Sequence, residues 1–152
     1  MIGIIGTGVV GSRVAETLCS FSHQQIYLYD SQQVVAQRLA TRLNGRDTQL
    51  TVVARDEMKS VKVVVLACPS PHMAISRELL ESGVSVVSTS DDIADCLNLL
   101  SLTQIAKQNN DAALLFVAMS HISMTYNQTI GNYPLGLHYA TESMKVANKT
   151  SN

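Results

Sequence analysis

The chain has 152 residues, 46% hydrophobic and 15% charged, which is enough apolar material for one packed domain and argues against disorder over most of its length. Its formal net charge of −1, with no basic block, leaves nucleic-acid binding without an electrostatic basis. Cys19, Cys68 and Cys96 have no metal or redox spacing and read as reduced thiols, so a cytoplasmic location and no metal site are expected. No targeting segment is read at the start. The longest apolar runs, such as 63–68, are too short to cross a membrane and read as buried strands.

The first predicted strand is Ile2 to Ile5, apolar throughout, as a parallel strand covered on both faces should be. Gly6-Thr7-Gly8-Val9-Val10-Gly11 follows, and then a helix with Val10, Val14 and Leu18 at four-residue spacing. The spacing G-x-G-x-x-G between a strand and a helix is the dinucleotide-binding pattern. Gly6 permits the tight turn, Gly8 leaves room for a pyrophosphate against the backbone, and Gly11 lets helix pack on strand. The helix start offers free N–H groups to the phosphates.

A second strand, Ile26 to Tyr29, ends at Asp30, 19 positions beyond Gly11. A carboxylate there accepts both hydroxyls of the adenosine ribose and repels a 2′-phosphate. Ser31, Gln32 and Gln33 supply no cation to bind one, so NAD is expected over NADP. The plainer alternative is that Asp30 caps the next helix. That helix places Val35, Leu39 and Leu43 on one face and stops at Asn44-Gly45.

The third strand covers about Leu50 to Ala54. In the loop after it, Asp56 either bonds the adenine amino group or is a solvated turn residue. The fourth strand, Val61 to Ala67, ends at Cys68-Pro69-Ser70-Pro71-His72, whose backbone should line the ribose and nicotinamide side of the cleft. Cys68 reads as a packing residue, because no His or Asp is placed to activate it. His72 reads as an exposed first-turn residue or a polar contact on the nicotinamide side.

A helix through Ile75, Leu79 and Leu80 stops at Gly83, and a fifth strand spans Val84 to Ser88. Ser88-Thr89-Ser90-Asp91-Asp92 act first as helix caps, with the cleft as a second role. One helix from about Asp91 to Gln108 is predicted, with Ile93, Leu97, Leu100 and Ile105 inward, followed by a sixth strand from Ala113 to Val117. Beyond Ser120 no period is legible. Tyr133-Pro134-Leu135-Gly136 looks like a turn, and His121 and His138 have no partner at metal or triad spacing.

The alternation predicts an α/β Rossmann domain over 1–119, with a six-stranded parallel sheet in the order 3-2-1-4-5-6, and an irregular tail over 120–152. The candidate cofactor-binding set is Gly6, Thr7, Gly8, Val9, Val10, Gly11, Asp30, Ser31, Asp56, Cys68, Pro69 and Ser70; no catalytic residue is assigned.

Gly6 to Gly11, the stretch ending Cys68-Pro69-Ser70-Pro71-His72, and Val86-Val87-Ser88-Thr89-Ser90-Asp91-Asp92 together resemble the N-terminal domain of the saccharopine dehydrogenase-like family, over about Met1 to Val117. The resemblance implies an NAD(P)-binding domain followed by a larger catalytic domain. In that family the sixth strand runs into a glycine-rich segment with Pro-Gly; here Ala118 to Ser123 stands in its place, so the family's substrate residues find no positions. Three functions compete. The first is the cofactor half of a two-domain oxidoreductase, inactive alone. The second is an oxidoreductase completed by a partner or by a second copy, a homodimer. The third is a non-catalytic dinucleotide sensor.

Overall fold

The computed structural model describes residues 1–21, 25–45 and 48–108, with Pro134, Leu137, His138, Ala140 and Thr141 further on. Within it the strands β1 (Ile2–Ile5), β2 (Gln25–Tyr29), β3 (Gln49–Val52), β4 (Val63–Leu66) and β5 (Ser85–Ser88) form one sheet in the order β3-β2-β1-β4-β5. Every pairing is parallel; Ile4, for example, stands opposite Leu28 on one side and Val65 on the other. The expected order is met through its first five strands. The sixth, Ala113 to Val117, lies outside the described residues, as does nearly all of the tail.

Strand alternation divides the core in two. Ile4, Ile26, Leu28 and Leu50 pack with Ala15 of helix α1 (Val9–Phe21) and with Ala36, Leu39 and Ala40 of α2 (Gln33–Leu43). Ile5, Val64, Leu66 and Val86 join Leu79 and Leu80 of α3 (Met73–Glu81), with Leu102 and Ala106, in the second cluster. Met58, fully buried in a 3-10 helix over Arg55–Ser60, completes that side. Gly3 leaves it room: a Cβ there would stand 2.7 Å from the Met58 sulfur.

Three details differ from the periodicity. In α1 the buried ridge is Gly11 and Ala15, flanked by Val14 and Leu18, whereas Val10 is half exposed because the first helical turn stands at the open end of the sheet. In α2 the small side chains Ala36 and Ala40 take the core side with Leu39, where close approach to the sheet favours them. The single predicted helix over 91–108 is two, α4 (Ile93–Leu100) and α5 (Thr103–Gln108). The N–H groups of Ser101 and Leu102 turn to carbonyls three residues back, Asn98 and Leu99. That tighter turn sinks Leu102 into the core and leaves Leu97, predicted inward, 41% exposed.

Candidate cofactor site

The glycine loop leaves the C-terminal end of β1, the central strand, which is where an open parallel sheet presents its ligand crevice. Gly6 has φ of +90°, and a Cβ on it would lie 2.5 Å from the Cys68 backbone nitrogen. A Cβ on Gly11 would overlap the Gly6 carbonyl oxygen. These two glycines therefore close the loop against itself and against the end of β4. Gly8 is different: a Cβ there would meet nothing within 4 Å. It faces open space beside the exposed Val9 and Val10, at the positive end of the α1 dipole. The space that a side chain at Gly8 would fill is empty, the opening that close approach of a pyrophosphate to this backbone requires.

Asp30 stands at the end of β2, next to the loop. Its Oδ2 accepts the Thr7 N–H (2.7 Å) and the Thr7 hydroxyl (2.8 Å), and its Oδ1 accepts the Gln32 N–H (2.9 Å). It thus holds the glycine loop and the approach to α2 together. Desolvation pushes the Asp30 pKa up, but the bonds from the Thr7 and Gln32 N–H groups and from the Thr7 and Ser31 hydroxyls outweigh it, so the net shift is downward. The group is a carboxylate, as a ribose-binding acceptor must be.

The remaining sequence-predicted residues separate. Cys68 abuts Gly6 through its backbone, and burial pushes its thiol pKa up, which disfavours the thiolate. Pro69 and Ser70 are exposed on the same loop, before a cis Ser70–Pro71 peptide. Ser31 lies exposed beside Asp30, and Asp56 sits on the 3-10 turn with its side chain 91% exposed, 4.0 Å from Lys59 Nζ. Among the described residues no three His, Cys, Asp or Glu side chains gather as metal ligands, and no helix is long and apolar enough to cross a membrane.

His72 corrects the expectation of an exposed residue: it is fully buried. Its Nε2 bonds the Cys68 carbonyl (2.8 Å) and its Nδ1 the Ser88 Oγ (2.8 Å), while its backbone N–H donates to Asp95 Oδ1 (2.9 Å). Asp95, also buried, was not singled out in the sequence; a lone acid in the apolar run Ile93–Leu100 was the available signal. Ser, His and Asp meet here without forming a nucleophilic triad. Nε2 is tied to a backbone carbonyl, and Ser88 Oγ is further bonded by the Ser90 N–H at 3.1 Å. The cluster fastens the loops after β4 and β5 to each other.

Comparisons with known proteins find the same class of fold. A curated glutamyl-tRNA reductase from Methanosarcina mazei is 28% identical over 81 residues, which is 53% of this chain and 18% of the reductase. The crystal structure of GenD2 from gentamicin A biosynthesis, in complex with NAD, superposes with a TM-score of 0.53 at 20% identity, covering 83% of this chain and 39% of GenD2, a likeness of fold. The chain therefore spans well under half of either relative. Residues 1–114 match the model of the semialdehyde dehydrogenase NAD-binding domain, and the chain belongs to that family.

Proposed function

We propose that this chain binds NAD in preference to NADP, as the cofactor half of a two-domain oxidoreductase, and does not turn over a substrate alone. The observation that carries the reading is the pairing of an open Gly8 with a bonded, ionised Asp30 at the adjacent strand end. Gly6, Gly8, Val9, Val10 and Gly11 would take the pyrophosphate along the backbone, with Asp30 on the adenosine ribose. The loop from Cys68 to Ser70, stapled by His72, would border the nicotinamide end. The family's name and the NAD in GenD2 support the same cofactor.

The nicotinamide supplies hydride exchange; a protein must add a substrate pocket and an acid or base. Among the described residues the nearest candidates are committed elsewhere, since both ring nitrogens of His72 are engaged and the Cys68 thiol is held protonated. The lengths of the relatives support a further domain as the source of that machinery. The saccharopine dehydrogenase-like resemblance implies the same two-part plan.

Calorimetric titration with NAD(H) and NADP(H) tests the cofactor reading. Tighter NAD binding, lost in Gly8→Val, is expected; equal or tighter NADP binding refutes it. An assay of the purified protein over amino acids, keto acids and semialdehydes tests the rest. NAD(P)H-linked turnover that disappears in Gly8→Val would show that the chain, alone or as a dimer, is a complete enzyme.

A further inference from the structure

Thr7 lies between two glycines that frame the cofactor loop, yet its side chain faces away from the open space. It is 2% exposed, while Gly8 and Val9 on its C-terminal side are exposed. Three polar groups of this one residue are fixed. The N–H and the hydroxyl both donate to Asp30 Oδ2, at 2.7 and 2.8 Å, and the carbonyl accepts the Ser12 hydroxyl at 2.9 Å. A carboxylate offers about four lone-pair sites. Oδ2 is filled by the two Thr7 donors, so a ribose hydroxyl would be accepted at Oδ1, beside the Gln32 N–H and in exchange for the Ser31 hydroxyl, the remaining donor to this carboxylate. The sequence alone allowed Asp30 to accept both ribose hydroxyls; this geometry leaves one oxygen for the task.

We propose that the Thr7 hydroxyl is a specificity-positioning group: it pins the Asp30 carboxylate with Oδ1 toward the adenosine ribose, so that the negative charge stays where a 2′-phosphate would have to sit. The inference rests on the reading that Asp30 selects NAD over NADP. Without the Thr7 hydroxyl, Oδ2 would keep only the bond from the Thr7 N–H, and the carboxylate would be freer to change rotamer and swing aside. A carboxylate that swings aside no longer repels the phosphate, and it must be re-ordered before it can bind a ribose. The Thr7 hydroxyl, the second donor to Oδ2, restricts both freedoms before the cofactor arrives. Its role is indirect, because a hydroxyl buried against Asp30 does not reach the ligand.

The test measures the ratio of NADP to NAD dissociation constants for wild type, Thr7→Val and Thr7→Ser by calorimetry. Thr7→Val keeps the backbone N–H bond and the side-chain shape but deletes the hydroxyl, and Thr7→Ser restores it. The ratio should fall roughly tenfold in Thr7→Val, about the worth of one hydrogen bond to a charged group, and return in Thr7→Ser. A carboxyl carbon titration by NMR, with no cofactor present, should show the Asp30 pKa rising in Thr7→Val and not in Thr7→Ser. A merely structural role for Thr7 would weaken both cofactors by the same factor and leave the ratio alone. If wild type prefers NAD and Thr7→Val keeps that preference, the inference is overturned while the role of Asp30 survives. If wild type shows no preference, the reading of Asp30 fails and the inference falls with it. Should Thr7→Val not fold, Thr7→Ala deletes the same hydroxyl without a methyl beside the carboxylate and carries the same outcomes.

Discussion

The backbone N–H of His72 donates to Oδ1 of Asp95 at 2.9 Å, joining residues 23 positions apart at the buried starts of α3 and α4. The ring of the same His72 spans from the Cys68 carbonyl to the Ser88 hydroxyl. Its Nε2 faces a carbonyl and must carry a proton; in the neutral ring Nδ1 then accepts from Ser88, whose oxygen accepts the Ser90 N–H. One imidazole thus satisfies buried groups from two loops that sequence separates and the parallel sheet brings side by side.

Truncating this hub should cost more than removing any one of its partners. Ser88→Ala deletes one hydrogen bond and should destabilise by about 1 kcal/mol. His72→Ala deletes two, strands the Cys68 carbonyl and opens a cavity, for about 2–5 kcal/mol. Denaturant midpoints at constant slope measure both. A His72→Ala protein no less stable than Ser88→Ala would mean that the hub is ornamental.

The glycines of the loop should separate by role. Gly11→Ala forces a Cβ into the Gly6 carbonyl and should destabilise the fold by about 1–3 kcal/mol. Gly8→Ala adds a methyl to open space, so the melting temperature should hardly move while NAD affinity drops. Thermal melts with and without NAD read the two effects separately. A large loss of stability from Gly8→Ala alone would contradict the open geometry.

Asp30 also predicts the shape of the acid limb. Its pKa is lowered in the folded protein, so its contribution to stability is fully present above its unfolded value of about 3.9 and is lost as pH falls through the folded value. Asp30→Asn should flatten stability against pH below about 4 and leave the neutral-pH slope unchanged. Glu78 shifts downward as well: its bond to Lys59 lowers it most, desolvation opposes, and the charges of Lys59 and Arg55 lower it further. It accepts Lys59 and Arg55 at 2.7 Å each on an exposed surface, where salt screens such pairs. Urea titrations over pH should therefore show a Glu78→Gln effect that vanishes in high salt and an Asp30→Asn effect that persists. Equal salt sensitivity in the two variants would contradict the distinction.

Replacing the ribose acceptor itself should be costly to binding. Asp30→Ala should weaken NAD by about 1–3 kcal/mol, the loss of a charge-assisted contact. Affinity for ADP should fall in step, because the contact lies in the adenosine half they share. Unchanged ADP binding in a folded Asp30→Ala protein would place the adenosine elsewhere.

Much of the scaffold was legible in the sequence because its signals are local. The apolar runs at Ile2–Ile5 and Val63–Leu66, the glycine spacing from Gly6 to Gly11, and the acid at Asp30 each depend on backbone conformation and burial within a few residues. They determined a parallel α/β domain with a phosphate-accommodating loop on its first strand. Which residues share an oxygen is not a local property. Thr7 and Asp30 meet because β1 and β2 pair in register, with Ile5 opposite Tyr29, and His72 meets Ser88 because β4 and β5 pair likewise, with Leu66 opposite Ser88. Residue-type tendency misplaced His72, and periodicity misplaced Leu97 and the break at Ser101, for one physical reason. A residue's burial depends on what covers it, and the core under Leu102, the carbonyl of Cys68 and the carboxylate of Asp95 come into place only when strands and helices distant in sequence are packed together.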